Sequence, residues 1–222
     1  MQTLYKPIVR SNSMKRYIIF FVLFFSFAQL LKAQNPDPLY VIDAYRKGFI
    51  VPNKDSIYYQ RMFFKVFPTN FKTFSKYYGW DEKLNVGRPL TAIPPNYFKR
   101  IFNAKAYSRA EVIKKIIDVS INGKRYVAPI KGKSYGAATG RFQEDSFNFA
   151  MTHPAEFVSV LKTHSEADII SVWAFYMDYP NNKYRKADYE KICGLVAPHA
   201  PEMVALITKG YKRDVAKWTY LH

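Results

Sequence analysis

Ser165-Glu166-Ala167-Asp168-Ile169-Ile170-Ser171-Val172-Trp173-Ala174-Phe175-Tyr176-Met177 is the stretch on which the fold turns. Ser165 offers a side-chain oxygen to the orphan N–H groups of a first helical turn, with Asp168 three residues on. From Ile169 to Met177 only Ser171 is polar. A helix apolar on every side is one enclosed by other helices. The stretch therefore predicts a central, buried helix and an all-α domain. Asp178-Tyr179-Pro180-Asn181-Asn182 then reads as a turn.

The segments on either side carry helical punctuation. Downstream, Tyr184 to Val196 places Tyr189, Ile192, Cys193 and Val196 on one face, and Pro201-Glu202 opens a last helix with the stripe Val204, Ile207, Tyr211, Val215, Trp218. Gly210 weakens that helix by about 1 kcal/mol relative to Ala. Upstream, Thr152-His153-Pro154 restarts a helix with Pro in its first turn, and Phe157, Val158, Val160 and Leu161 form its core face. Arg141 to Met151 reads as helix after an irregular stretch with Gly132, Gly136 and Gly140. Pro94-Pro95-Asn96 opens a short helix with Tyr97, Phe98, Ile101 and Phe102 inward. Pro68-Thr69-Asn70 opens another, with Phe71, Phe74 and Tyr77/Tyr78 before the stop at Gly79.

Ser108-Arg109-Ala110-Glu111 is a capping-box pattern leading into Val112, Ile113, Ile116 and Ile117. Its far end is open to two readings. Ile117-Asp118-Val119-Ser120-Ile121 alternates with period two before Asn122-Gly123, which suits a small β-hairpin near 117–130. Gly after a helix is equally a C-terminal stop, and the cap and stripe favour helix. The expectation is a single all-α domain of seven or eight short helices, with a place for that hairpin. The 18 Phe and 18 Tyr are then core and helix-junction residues, because each ring buries about 150–250 Å².

The chain begins differently. Lys15-Arg16 precedes the apolar run Tyr17–Leu31, which is interrupted only by Ser26 and Gln29. A basic flank, a short apolar run and a small residue describe a secretory signal peptide, cut after Ala28 or Ala33. The run is shorter than the ~20 residues that span a bilayer as a helix. Residues 1–33 thus read as a signal peptide, with Met14 an attractive true start, and 34–222 as the exported domain, periplasmic or secreted. One Cys among 222 residues excludes an internal disulfide framework. Cys193 is expected to be buried and inert.

The net charge of +17 follows from 34 basic and 17 acidic residues. Removing 1–33 leaves 29 basic and 17 acidic residues, or +12. The excess concentrates between 99 and 133, where ten basic residues meet only Glu111 and Asp118. Lys99, Arg100, Lys114, Lys115, Lys124, Arg125, Lys131 and Lys133 are the candidate partner-binding residues. Smaller clusters are Lys183, Arg185, Lys186 and Lys209, Lys212, Arg213, Lys217. Such runs resemble nucleic-acid footprints. Outside the cytoplasm they point instead to an acidic protein partner or an anionic envelope surface.

No motif supplies a reaction. Gly132-Lys133-Ser134 lacks the Gly that a phosphate loop needs at position 127, which is Val. His153, His164, His199 and His222 show no metal-ligand spacing, so neither a metal nor another cofactor is implied. Glu144 and Asp145 are candidate carboxylates for glycan hydrolysis, but adjacent residues on one helix do not face each other across a bond. Asp178 is the candidate partner carboxylate.

Phe67-Pro68-Thr69-Asn70-Phe71-Lys72-Thr73-Phe74-Ser75-Lys76-Tyr77-Tyr78-Gly79 is similar to an opening found in small exported helical proteins of Gram-negative bacteria. The runs Pro89-Leu90 with Tyr97-Phe98 and Ile101-Phe102, and Trp173-Phe175-Tyr176-Asp178-Pro180, resemble the same group. Some members look like immunity partners of contact-delivered toxins. The resemblance implies a helical extracytoplasmic binding protein and carries over no catalytic residue. The functional expectation is therefore a non-enzymatic binding protein, of immunity or inhibitor type, contacting an acidic partner through a basic face. The alternatives are a peripheral binder of anionic lipid or glycan, and a cell-wall glycan hydrolase.

Overall fold

The computed structural model describes residues 37–219, except 82, 85, 92, 124–136 and 179–181. Ten α-helices occur among them: α1 (Pro38–Tyr45), α2 (Ser56–Val66), α3 (Phe71–Tyr78), α4 (Tyr97–Phe102), α5 (Arg109–Ser120), α6 (Ala137–Thr152), α7 (Pro154–Leu161), α8 (Glu166–Tyr176), α9 (Asn182–Val196) and α10 (Pro201–Thr219). A π-helical turn, Arg46–Ile50, follows α1, and Trp80–Asp81 pairs antiparallel with Val86–Gly87 as β1 and β2. The all-α expectation holds. α1, α2 and the small β-pair are additions to it, and α6 starts before Arg141, so that Gly140 is helical. The remainder of the irregular stretch, including Gly132 and Gly136, lies outside the described residues.

The predicted caps form as written. Asn70 Oδ1 accepts from the Thr73 N–H at 2.8 Å and starts α3. Ser108 Oγ accepts from the Glu111 N–H at 3.3 Å, and the Glu111 carboxylate accepts from the Ser108 N–H at 2.8 Å, closing the capping box of α5. Ser165 Oγ accepts from the Asp168 N–H at 3.2 Å and starts α8.

α8 is buried from Ser171 to Met177, as an all-round apolar helix must be. α10 lies along it over its length, and α6 and α5 also pack on it. Its one polar interruption has a use. Ser171 Oγ accepts from the Asn122 N–H at 2.8 Å and so holds the end of α5.

The hairpin expectation is corrected over 117–123. Helix α5 continues through Ser120, and Asn122 turns the chain with φ of 58°, a left-handed conformation Asn tolerates. The apparent alternation was misleading because Ser120 points inward. Its hydroxyl donates to the Ile116 carbonyl at 2.7 Å and lies 3.1 Å from the Tyr176 hydroxyl. The rest of the hairpin span, 124–130, lies outside the described residues.

Aromatic rings join the N-terminal helices to the central one. Tyr45, Phe63, Phe67, Phe74, Phe142, Phe175, Tyr176 and Trp173 form an unbroken path from α1 to α8, with centroid separations from 4.7 to 6.4 Å. Each such pair adds about 0.5–1.5 kcal/mol beyond the area it buries. One buried amide also ties the N-terminal helices down. Gln60 Nε2 donates to the Gly48 carbonyl at 3.0 Å, while its Oε1 accepts from the Lys105 and Ala106 N–H groups at 2.9 and 3.1 Å.

Gly210 reverses its sequence reading. A Cβ there would sit 2.8 Å from Trp173 Cβ, 2.9 Å from the Ala174 nitrogen and 3.0 Å from the Ile170 carbonyl oxygen. The missing side chain lets α10 approach the α8 backbone. Helix propensity alone favours Gly210→Ala by about 1 kcal/mol. Overpacking against backbone costs about 1–3 kcal/mol. Gly210→Ala is expected to destabilise by a net of up to about 2 kcal/mol. Urea unfolding checks this, and a stabilised variant would contradict the close approach.

Candidate functional site

The short helix α4 buries Tyr97, Phe98, Ile101 and Phe102, which leaves Lys99, Arg100 and the following Asn103 outward. α4 packs on α6. There Asp145, Asn148 and Thr152, spaced three and four apart, form one stripe. Lys191 and Leu195 of α9 close the third side. Together with Phe102, Phe149, Met151 and His153 these residues line an open groove of about 660 Å³. Its floor is apolar. Phe102 and Phe149 are both buried and meet edge to face at 5.6 Å.

Charge at the groove is mixed. Asp145 is half-buried, and desolvation pushes its carboxyl above the ordinary aspartate value, with nearby Lys99 opposing and Glu144 reinforcing the shift. Lys99 and Lys191 are exposed at the rim. His153 rests beside the Phe149 ring at 4.7 Å. Its Nδ1 lies 3.0 Å from Arg109 Nη1. A guanidinium can only donate, so His153 Nδ1 accepts and the proton of the neutral ring sits on Nε2. Desolvation and the Arg109 charge hold the imidazole below its usual pKa, against the opposing pull of Glu156.

The structure separates the candidate carboxylates. Glu144 is exposed. Asp145 lines the groove, whereas Asp178 is buried after α8, where its backbone carbonyl accepts from Gln143 Nε2 at 3.3 Å. Gln143 and Asp145 are two residues apart on α6 and so point to opposite sides of it. Asp178 and Asp145 therefore do not share a cleft. Among the described residues no group of three His, Cys, Asp or Glu side chains is placed to hold a metal ion. Cys193 is partly rather than fully buried, and desolvation raises its thiol pKa.

The run of basic residues is divided. Lys114 is paired with Asp118 at 2.8 Å. Lys115 donates to the Phe67 carbonyl at 3.1 Å, and burial lowers its pKa. Arg100 donates to the Phe49 carbonyl at 3.0 Å. Of the candidates, Lys99 reaches the groove. Lys124, Arg125, Lys131 and Lys133 lie outside the described residues. The later clusters are partly spent too. Lys186 pairs with Glu190 at 3.7 Å, Lys209 pairs with Glu166 at 2.5 Å, and Arg185 is fully buried. Sequence reading missed Lys191, Asn148 and His153 as groove residues. No spacing along the chain links α4, α6 and α9.

The Asp145 shift has a signed consequence. The folded chain holds this proton to higher pH than the unfolded chain, whose aspartate value is 3.8. Stability linked to the group is therefore full below the unfolded value and falls as pH rises through the shifted interval. Asp145→Asn lacks the titration. Its stability relative to the wild type is expected to grow as pH rises through the unfolded value and the shifted interval above it, read by urea unfolding. A flat or shrinking difference would contradict the burial of this carboxyl. Compared with protein-family models, curated proteins and solved structures, the chain has no match in any of the three.

Proposed function

We propose that the chain is an exported, non-enzymatic helical binding protein whose groove between α4, α6 and α9 receives an acidic segment of a partner protein. The observation that carries this reading is the convergence of Lys99 and Lys191 on a groove with an apolar floor and polar walls. A carboxylate entering it would meet two ammonium groups and the His153 Nε2–H. Asn148 and Asp145 could accept backbone N–H groups of the bound segment. The net charge of +12 on residues 34–222 would steer an acidic partner toward the protein before contact. Export is supported by the basic flank and apolar run of residues 15–31.

A non-catalytic reading is supported by the separation of Asp145 from Asp178. A glycan hydrolase needs two carboxyl groups about 5–9.5 Å apart across one bond. The narrower form of the proposal, an immunity or inhibitor protein, is supported by the resemblance of 67–79 and the other quoted runs.

A labelled oligoglutamate peptide is the probe for the groove. Its binding, read by fluorescence anisotropy, is expected to weaken with salt and to fall about ten-fold or more in Lys99→Glu/Lys191→Glu, since two like charges now face the ligand. Equal affinity in that variant would refute the groove as the contact. The narrower form expects a toxin gene beside this one; co-expression should then protect cells from its product, and the double variant should lose that protection.

A further inference from the structure

His153 stands where the chain passes from α6 to α7, between Thr152 and Pro154. Its side chain makes no capping bond to the first turn of α7. It is held instead from α5, which packs on α7. Arg109, the first residue of α5, brings Nη1 to 3.0 Å from His153 Nδ1 and to 3.2 Å from Glu156 Oε1. Arg109 itself is not part of the groove. With Glu156 and Ser159 it lines a separate opening of about 560 Å³ between α5 and α7. His153 does line the groove, and its ring rests beside Phe149 of the floor at 4.7 Å. The imidazole thus meets Arg109 through one nitrogen and belongs to the groove wall through the rest of the ring.

We propose that Arg109 is a positioning residue for the groove: by holding His153 neutral it makes the grip on an acidic segment pH-dependent, tighter in mildly acid solution. The inference rests on the groove reading above and names how that site is regulated. A neutral ring that accepts at Nδ1 carries its proton on Nε2. A second proton can go only to Nδ1, the atom at which Arg109 points. Protonation therefore breaks the Arg109 bond and sets two cations side by side. Desolvation of the ring opposes the proton as well, and Glu156 offsets part of the cost. A carboxylate seated in the groove works the other way, because a nearby anion favours the imidazolium. Binding and protonation then favour each other, as linkage requires.

The other ionisable groups of the groove are Lys99 of α4, Asp145 of α6 and Lys191 of α9, two cations against one carboxylate. An imidazolium at His153 is a third cation. Protonation of Asp145 changes the groove charge in the same sense, so the experiment removes that carboxyl.

The test uses residues 34–222 carrying Asp145→Asn, because Pro38–His222 is a compact unit with its own core. The probe is a labelled oligocysteate peptide, whose sulfonates stay ionised throughout. Its affinity, read by fluorescence anisotropy, should rise about three-fold or more as pH falls below the ordinary histidine value of 6.5. Arg109→Ala removes both the donor and the opposing charge. The midpoint of the His153 titration, read by nitrogen NMR of the imidazole without peptide, should then move up in pH, and the tightening with it. Arg109→Lys should bring both back toward the wild type. His153→Gln should leave an affinity flat in pH, and its missing signal identifies the resonance. A merely structural Arg109 would change stability and leave the midpoint where it was. An unmoved midpoint in Arg109→Ala, or an affinity flat in pH where the peptide does bind, would overturn this proposal alone. No binding at any pH would overturn the groove reading together with it.

Discussion

The contact of α8 with α10 across Gly210 is the constraint on which the rest of the structure depends. A helix with no polar side must be enclosed. Enclosure by a long helix such as α10 needs a place where backbone can approach backbone. Gly210 supplies that place against Trp173 and Ala174. With α10 seated, the remaining sides of α8 are closed by α5 and α6. Asn122 and Gly123 then end α5 against it. A Cβ on Gly123 would lie 2.5 Å from the Phe175 ring. The same close approach is thus made twice near the middle of the buried stretch, once by helix against helix and once by a turn against a ring.

Much of this was legible because α8 and its neighbours obey local rules. Ser108 with Glu111, Asn70 with Thr73, and Ser165 with Asp168 are caps that act within four residues, so the sequence contains both partners. α1 and α2 escaped notice for a physical reason. In Ser56–Val66, Ile57, Tyr58, Tyr59, Met62, Phe63 and Phe64 surround the helix, and no clean stripe separates inside from outside. Period-two alternation failed at Ser120 because a buried hydroxyl satisfied by a carbonyl one turn back counts as core.

The groove was less legible than the fold. Lys99, Asp145 and Lys191 are separated by dozens of residues, and only the packing of α4 and α9 around α6 brings them together. The charge run was legible as composition but not as a surface. Neighbours in sequence such as Lys114 and Lys115 diverge, one to Asp118 and one to the Phe67 carbonyl. Exposed ion pairs of this kind contribute about 0–1 kcal/mol to stability. Their larger effect is to remove cations from the field an approaching partner meets.

Gln60 has a consequence for motion. Its single amide holds the π-helical turn through Gly48 and the segment before α5 through Lys105 and Ala106. Stretches 45 and more residues apart in sequence therefore share one buried set of hydrogen bonds. An opening that releases one of them leaves buried polar groups unsatisfied in the others, at about 1–3 kcal/mol each. The N-terminal helices and the 105–106 segment consequently open as one cooperative unit, and their amides exchange hydrogen together.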